Sequence, residues 1–292
     1  MTPLEKVQNL PIWQGSVRVE RLGGGITNVN FVAEDDIQKV VVRIGDDIPL
    51  HQILRFNELS ASIAAYAAGV SPPVIYHAPG VLVIGFIEGR TLTAADFADD
   101  AVLEQSLDLL MLAHRGIPQH LRGASLAFWV FQVLRDYAAT LRAARSRYVS
   151  ALPALMADAA VLEAAVGQID LVFGHNDLLP ANFIHDGTRM WLIDWDYAGF
   201  NSPLFDLGGL AANNSLNTAQ EARMLERYFS RPPDADLWRK YKAMKAAAAL
   251  RETLWSMVSE IYSALEFDYA GYTAKNLATY RAAYAAFENT RG

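Results

Sequence analysis

Apolar and polar residues alternate along the first part of the chain. SVRVERL, which begins at Ser16, has a period of two, and NVNFVAE and QKVVVRIGDD continue it after three glycines. This alternation is typical of strands that bury one face. LRFNELSASIAAYAAG has helical spacing, and Gly69 and the Pro72-Pro73 pair end it. With PVIYH and VLVIGFIEG, the pattern predicts five strands, which begin with a hairpin, and one helix.

Beyond Thr91 the spacing of apolar residues becomes helical, alanine becomes frequent and glycine becomes sparse. Alanine is the best helix former, and the pattern predicts helices over Leu103–Arg115, Phe128–Ala144 and Ala154–Val166. Further helix is expected from Phe205 almost to the C-terminus, while short strand-and-loop segments interrupt the region before it.

This change of character predicts an α+β fold with two lobes. A chain of 292 residues is long for one compact core. We expect a small antiparallel sheet lobe over residues 1–86 and a larger, mainly helical lobe over residues 87–292. Gly85–Gly89 would connect them.

Composition excludes several classes of function. The net charge of −7 and the absence of any Lys/Arg block disfavour binding to nucleic acid. The absence of cysteine excludes disulfides, thiolate nucleophiles and cysteine-based zinc sites. The N-terminus has no apolar signal-peptide core, and no apolar run has the length of a membrane span. We expect a cytoplasmic protein without membrane insertion, as a monomer or a homodimer.

Two polar stretches carry the candidate chemistry: HNDLLPANF over His175–Phe183 and LIDWDYAG over Leu192–Gly199. Asp177 and Asn182 lie in a loop with Leu-Pro at its centre, and Asp194 follows the short apolar strand MWLI. Two carboxylates and an amide oxygen are therefore expected to converge. Such oxygen ligands favour Mg²⁺. Taken alone, either stretch could instead be a capped turn.

This set of side chains suits phosphoryl transfer. One Asp accepts the proton of the attacking hydroxyl, while the Asn and the second Asp hold Mg²⁺ on the nucleotide phosphates. Protein kinases carry the same residue types in the same order.

Both stretches resemble the signatures of the aminoglycoside phosphotransferase and choline kinase superfamily. The resemblance implies a protein-kinase-like fold that uses ATP and Mg²⁺. It implies that Asp177 is the catalytic base and that Asn182 and Asp194 are metal ligands. Asp196 stands where choline kinases usually carry Glu, and it is assigned as a further metal ligand. His175 matches a residue that packs behind the catalytic Asp.

The stretch RLGGGITNVN contains three glycines, which let backbone N–H groups approach an anion. Glycines at a hairpin tip are also commonly no more than a turn. The stretch resembles the nucleotide-covering hairpin of the superfamily. The implied nucleotide contacts are Gly23, Gly24, Gly25, Thr27 and Asn28.

Arg43, in KVVVRIG, stands where protein kinases place Lys. Arg can bind phosphate oxygens with two donors, and choline kinases carry Arg in similar strands. Glu58, on the following helix, would pair with Arg43 and hold it toward the phosphates. The alternative is that Glu58 is a solvated surface residue.

VLVIGFIEGRTL resembles the connector between the lobes. The implied adenine contacts are the backbone groups of Gly85, Phe86 and Ile87. The implied apolar walls are Ile26, Val41 and Ile193. These apolar residues could equally be ordinary core.

The stretch RETLWSMVSEIYSALEFDYAGY indicates the acceptor. Its apolar residues fall on one helical face, which is usually core; they are Leu254, Trp255, Val258, Ile261, Tyr262 and Leu265. The stretch also resembles the segment of choline and ethanolamine kinases whose aromatic wall binds quaternary ammonium. Aromatic rings attract such cations by about 2 kcal/mol when desolvated.

Trp255 matches the second tryptophan of that segment, and Tyr272 matches its tyrosine. Glu252 stands at the first tryptophan position. A carboxylate there would bind an ammonium group by charge, and a primary amine could also donate hydrogen bonds to it. Phe205 and Asp206 match an FDL step, and Asp206 is expected to brace the catalytic loop.

We therefore predict a kinase that transfers the γ-phosphate of ATP to the hydroxyl of choline or ethanolamine, a small amino alcohol. Another hydroxylated amine, such as thiamine or an aminoglycoside, stays open as the acceptor. An aminoglycoside acceptor predicts a long acidic loop in the helical lobe, and only Asp96, Asp99 and Asp100 suggest such a loop. A non-catalytic ligand-binding protein with this fold is the remaining alternative, and the intact Asp/Asn/Asp set disfavours it.

Overall fold

The computed structural model describes residues 1–23, 28–263 and 267–290. The N-terminal part combines an antiparallel sheet with two helices. Its elements are α1 (Pro3–Gln8), β1 (Arg18–Leu22), β2 (Val29–Glu34), β3 (Lys39–Ile44), α2 (Arg55–Ala67), β4 (Val74–Ala78) and β5 (Val81–Gly85). The strand order is β1-β2-β3-β5-β4, and neighbouring strands are antiparallel.

The alternation of β3 sends its side chains to two different environments. Val40, Val42 and Ile44 enter a core that also contains Val7 of α1. Arg43 therefore leaves the strand on the opposite face, where it reaches Glu58 of α2. A salt bridge in the interior thus depends on the period of two in this strand.

The remainder of the chain is mostly helical, with short strands between the helices. These elements are β6 (Arg90–Thr91), α3 (Asp100–His120), α4 (Val130–Ala143), α5 (Leu152–Val166), β7 (Val172–Gly174), β8 (Phe183–His185), β9 (Met190–Leu192), β10 (Gly199–Asn201), α6 (Pro203–Asn213), α7 (Thr218–Phe229), α8 (Ala235–Tyr262) and α9 (Tyr269–Glu288). The long helix α8 packs against α4, α5, α6 and α9. Gly208 permits the contact with α6, because a Cβ there would lie 2.9 Å from Cα of Lys245.

The short strands place the two polar loops side by side. β7 pairs with β10, and β8 pairs with both β6 and β9. The loop over residues 175–182 joins β7 to β8, and the loop over residues 193–198 joins β9 to β10. Gly174 at the end of β7 pairs with Gly199 at the start of β10, and Phe183 at the start of β8 pairs with Leu192 at the end of β9, so the two loops are adjacent, as the sequence predicts.

The α+β class, the five-stranded sheet and the helices are confirmed. Helix α1 was not predicted, although Thr2 and Glu5 form a capping box at its start. Ile261 and Tyr262 are 41% and 51% exposed, so their assignment to a buried helical face was wrong. Leu265 lies outside the described residues. The division between lobes at residue 86 stays a prediction.

One segment within the described ranges, Val149–Val166, is long and apolar enough to cross a membrane, so the expectation that no apolar run has this length was wrong. This is weak evidence, because core helices of soluble proteins pass the same test. Helix α5, which forms most of this segment, packs against α4 and α8.

Candidate active site

The loop over residues 175–182 contains, at its second position, a residue in an unfavourable backbone conformation. Asn176 has φ of 65°, which costs a residue other than glycine about 1 kcal/mol or more. Its Nδ2 donates to the carbonyls of Tyr197 at 2.9 Å and Gly199 at 3.2 Å, and its Oδ1 accepts from Asn201 at 3.0 Å. These hydrogen bonds hold the conformation and fix the direction in which Asp177 leaves the chain.

Asp206 of α6 braces this loop from below, as predicted. Its carboxylate accepts from the backbone N–H groups of His175 at 2.8 Å and Asn176 at 2.7 Å. Nε2 of His114 lies 2.9 Å from the same carboxylate, which is buried. Gly174 makes room for this arrangement, since a Cβ there would lie 3.1 Å from Oδ2 of Asp206.

His175 connects the two polar loops. Its Nδ1 accepts from the backbone N–H of Asp177 at 3.3 Å, so Nε2 carries the proton and donates to the carbonyl of Ile193 at 2.8 Å. The ring is fully buried and packs against Trp195. Burial lowers the pKa of His175, which favours the neutral ring that these two hydrogen bonds require.

Asp177 lies at the floor of a cavity, and its side chain is 21% exposed. The pKa of its carboxyl is raised to about 7: burial is the largest cause, the charge of Arg251 opposes it, and the charges of Glu252, Asp194 and Asp196 add to it. The distance from Oδ1 to Nη1 of Arg251 is 3.7 Å. A carboxylate with a pKa near neutrality suits a general base.

Asn182 and Asp194 lie beside each other and close to Asp177. The backbone N–H of Ile193 donates to the carbonyl of Asn182 at 3.0 Å, which places Asp194 next to Asn182. Nδ2 of Asn182 donates to the carbonyl of Asp177 at 2.8 Å, so Oδ1 occupies the other end of the amide. Asp194 has φ of 70°, and its side chain is 31% exposed.

These donors fit a magnesium ion. One amide oxygen and one accessible carboxylate are hard oxygen ligands, and Mg²⁺ typically takes few ligands from the protein. Across the described ranges, no group of three or more His, Cys, Asp or Glu side chains is placed to hold a metal. Within those ranges the structure shows no metal site built from three or more such side chains. The predicted roles of Asn182, Asp194 and Asp196 as metal ligands stay predictions.

Arg43 lies at the centre of a buried ionic cluster, which consists of Arg43, Arg55, Glu58, Asp194 and Asp196. Nε of Arg43 is 2.8 Å from Oε1 of Glu58, and Nη2 is 2.8 Å from Asp194 and 3.0 Å from Asp196. The predicted pairing of Arg43 with Glu58 is confirmed, and both side chains are buried. Burial disfavours the charged guanidinium, but the neighbouring carboxylates raise the pKa of Arg43 well above its usual value.

Sequence reasoning did not find Arg55. Its Nη1 is 2.8 Å from Asp196 and 2.7 Å from Glu58. Asp196 is buried, accepts from both arginines, and also accepts from Nδ2 of Asn28 at 3.2 Å. The carboxylate of Asp196 is thus already hydrogen-bonded by three side chains. Its role as a metal ligand stays a prediction.

The nucleotide side of the site is described in part. Gly24, Gly25, Ile26 and Thr27 lie outside the described residues, whereas Gly23 and Asn28 lie within them. The N–H groups of Gly85 and Phe86 donate to the carbonyls of Pro73 at 2.9 Å and Lys39 at 3.2 Å. We therefore expect an adenine contact here to use carbonyl oxygens or the N–H of Ile87. Val41 is half-buried, and Ile193 lines a small cavity with Arg43 and Asp194.

The cavity above Asp177 has a volume of about 450 Å³. Arg251 and Glu252 of α8 and Tyr272 of α9 line it together with Asp177. Oε1 of Glu252 accepts from the Tyr272 hydroxyl at 2.7 Å, and Oε2 is 3.0 Å from Nη1 of Arg251. The structure thus brings three of the four predicted acceptor residues together.

Trp255, the fourth predicted acceptor residue, lies behind the side chains that line the cavity. It is 6% exposed and does not line the cavity. Its Nε1 donates to the Tyr197 hydroxyl at 3.0 Å, and its ring lies 5.3 Å from His51 and 6.4 Å from Tyr272. The structure gives Trp255 a supporting position, and its contact with a substrate stays a prediction.

Sequence reasoning also missed Arg251. Its side chain is 5% exposed and lies over the Tyr197 ring at 4.2 Å. The available signal was its position, because Arg251 precedes Trp255 by four residues and Val258 by seven and so lies on the same helical face. A charged residue in an apolar stripe indicates a buried charge with a specific partner.

Comparison with known proteins agrees with this geometry. The profile of the phosphotransferase enzyme family matches residues 18–244. Protein LicA of Haemophilus influenzae is 27% identical over 262 residues, which cover 87% of this chain and 76% of that protein. Ethanolamine kinase 2 of Mus musculus is 26% identical over 298 residues, which cover 90% of this chain and 75% of that protein. The crystal structure of a choline/ethanolamine kinase family protein from Mesorhizobium loti superposes with a TM-score of 0.77 at 27% identity and covers 96% of this chain and 92% of that one.

Proposed function

Because this chain belongs to the phosphotransferase enzyme family and is a small-molecule kinase, we propose that it transfers the γ-phosphate of ATP to the hydroxyl of choline or ethanolamine. The observation that carries this proposal is the position of Asp177. It lies between the acceptor cavity on one side and Asn182, Asp194 and Arg43 on the other. A base in this position can reach an acceptor hydroxyl that faces a nucleotide phosphate.

In the proposed reaction, the acceptor oxygen attacks the γ-phosphorus. The bond between that phosphorus and the β–γ bridging oxygen breaks, and ADP leaves. Asp177 accepts the hydroxyl proton, and His175 and Asp206 keep the loop in place. Arg43 offsets negative charge on the phosphates. Bound Mg²⁺, for which Asn182 and Asp194 are the proposed ligands, would supply electrostatic stabilisation of the phosphates.

Release of ADP in the presence of ATP, Mg²⁺ and either amine tests the proposal. Asp177→Asn should bind nucleotide nearly as well as the wild type, because it keeps the shape of the side chain, but it should lose most of its kcat. The control is Asp236→Asn on the exposed start of α8, whose partner is Lys240 in the next turn. Near-normal turnover by Asp177→Asn would refute the assignment of the base.

The size of the cavity supports a second candidate acceptor. A volume of about 450 Å³ corresponds to about 15 water molecules. Choline and ethanolamine would leave part of it to solvent, whereas a larger hydroxylated amine, such as thiamine or an aminoglycoside, would fill more. A faster release of ADP with such an acceptor than with either amino alcohol would favour this candidate.

A further inference from the structure

The acceptor cavity presents an ionic wall where an aromatic one was expected. Among the described residues, the aromatic side chains that line it are Tyr272 and Phe205, and Phe205 is only 3% exposed. Trp255 does not line the cavity: it is buried, and its ring packs against the ring of Tyr272. A quaternary ammonium ion would therefore meet a single half-buried ring, that of Tyr272, whereas the aromatic cages that bind such ions provide several.

Glu252 is held rigidly by donors on two sides. The Tyr272 hydroxyl donates to Oε1 at 2.7 Å, and Nη1 of Arg251 lies 3.0 Å from Oε2. An ionised carboxylate offers about four acceptor positions, so each oxygen retains capacity for another donor. The side chain is 25% exposed and lines the cavity. Glu252 is therefore a fixed acceptor that an incoming N–H group can use.

The charges of this wall match a single cation. Asp177 and Glu252 carry two negative charges when ionised, and Arg251 lies 3.7 Å from one and 3.0 Å from the other. With both carboxylates ionised, the trio therefore has one negative charge in excess. Lys275, at the rim, is exposed, and water screens its charge. A monovalent ammonium group beside Glu252 would neutralise the trio.

On the basis of the function proposed above, we propose that Glu252, held by Arg251 and Tyr272, selects acceptors whose ammonium group carries N–H donors and discriminates against quaternary ammonium. An ammonium group with an N–H displaces water from the carboxylate and donates a charge-assisted hydrogen bond in its place. A quaternary ammonium displaces the same water but donates no hydrogen bond, which leaves one acceptor position of the carboxylate unsatisfied. Substrates that lack a donor are disfavoured at such sites.

A methylation series tests the proposal. kcat/KM would be measured for ethanolamine, its N-methyl and N,N-dimethyl derivatives, and choline, with ADP release as the readout. We expect the largest fall, about 10- to 100-fold, between the dimethyl amine and choline, because this step removes the last N–H donor. Choline turnover equal to or faster than ethanolamine turnover would overturn the proposal.

Variants of Glu252 separate selectivity from general damage. E252Q should lower kcat/KM for ethanolamine about 10- to 100-fold and change choline much less. E252W, which exchanges the carboxylate for a ring, should raise the ratio of choline to ethanolamine turnover, and thermal unfolding shows whether it folds. The control is E260Q on the same helix, where the carboxylate pairs with exposed Arg147. Equal losses for both acceptors in E252Q would contradict the assigned role.

Failure of this inference can be told from failure of the proposed function. Release of ADP with any of the four amines supports the function, and the order of the amines then tests Glu252. If no amine yields ADP, the proposed function fails, and calorimetry with ethanolamine and choline decides the inference. Tighter binding of ethanolamine that E252Q abolishes would still support it, whereas equal or absent binding would overturn it.

Discussion

His51 provides a test of the packing behind Arg251, Glu252 and Tyr272, which line the proposed acceptor cavity. It is 8% exposed, with Nδ1 3.3 Å from the Tyr137 hydroxyl and Nε2 3.3 Å from Oγ of Ser259. Its ring lies 5.3 Å from the Trp255 ring. The pKa of His51 is lowered to about 4, mainly by burial and also by the positive charge of Arg251. In the folded protein the ring is therefore neutral at pH 7 and remains so well into the acidic range.

The size of the effect follows from the two pKa values of this histidine. In the unfolded chain the pKa returns to 6.5, so between pH 6.5 and pH 4 the unfolded state binds more protons than the folded state. The free energy of unfolding therefore rises with pH in this window, and the contribution of His51 is lost as the pH falls from 6.5 toward 4. A difference of about 2.5 pKa units corresponds to about 3 kcal/mol, most of which is lost by pH 4.5.

Urea unfolding of the wild type and of His51→Gln at pH 7.5 and pH 4.5 measures this contribution. Glutamine has no charge to gain, so the difference in free energy of unfolding between the two proteins should shrink by about 2.5 kcal/mol at the lower pH. The comparison cancels the carboxylates that titrate in the same range. The control is His120→Gln, at an exposed position. A difference that stays constant with pH would refute the reasoning.

Two further substitutions test contacts that position the site. Gly208→Ala should lower the free energy of unfolding by about 1–3 kcal/mol in urea denaturation, since its Cβ would lie 2.9 Å from Cα of Lys245. Gly209→Ala is the matched control, because its Cβ would have no neighbour within 4 Å and should be neutral or stabilising; equal losses would refute the close contact. Asp206→Asn should lower kcat about 10²-fold and leave the KM of the acceptor nearly unchanged in steady-state kinetics, because it loosens the loop at Asn176 and because Asp206 itself is only 2% exposed. A change confined to KM would contradict this role.

The existence of the secondary structure could be predicted, but its limits could not. Apolar spacing identifies an element only from its first apolar residue, so the helix predicted from Leu103 begins at Asp100, where the side chain of Asp99 caps it. Helix α1 escaped prediction because its short sequence buries a single residue, Val7. Its capping box, which joins Thr2 and Glu5, was the available signal.

Parts of the candidate site could be predicted from a short stretch of sequence, whereas other parts depend on contacts between residues that are far apart in the chain. Asp177 and Asn182 lie five positions apart, and the loop that joins them is encoded locally. Arg55 meets Asp196 across 141 positions, and no local pattern indicates that pairing. The position of Trp255 depends on the rotation of α8, which its packing against α4, α5, α6 and α9 sets. An aromatic match in the sequence therefore could not show whether the ring lines the cavity or supports it.

The buried charges give a physical reason to connect these two groups of residues with function. One cluster contains Arg43 and Arg55 against Glu58, Asp194 and Asp196, and the other contains Arg251 against Asp177 and Glu252. Burying such ions costs several kcal/mol each, and apolar residues of similar volume commonly stabilise a core at least as well. Stability alone therefore does not account for two such clusters close to the proposed catalytic base, Asp177, which belongs to the second of them. With all its carboxylates ionised, each cluster has one negative charge in excess, which a metal ion or an ammonium group would neutralise. We infer that the clusters are set to exchange internal ion pairs for contacts with the two proposed substrates.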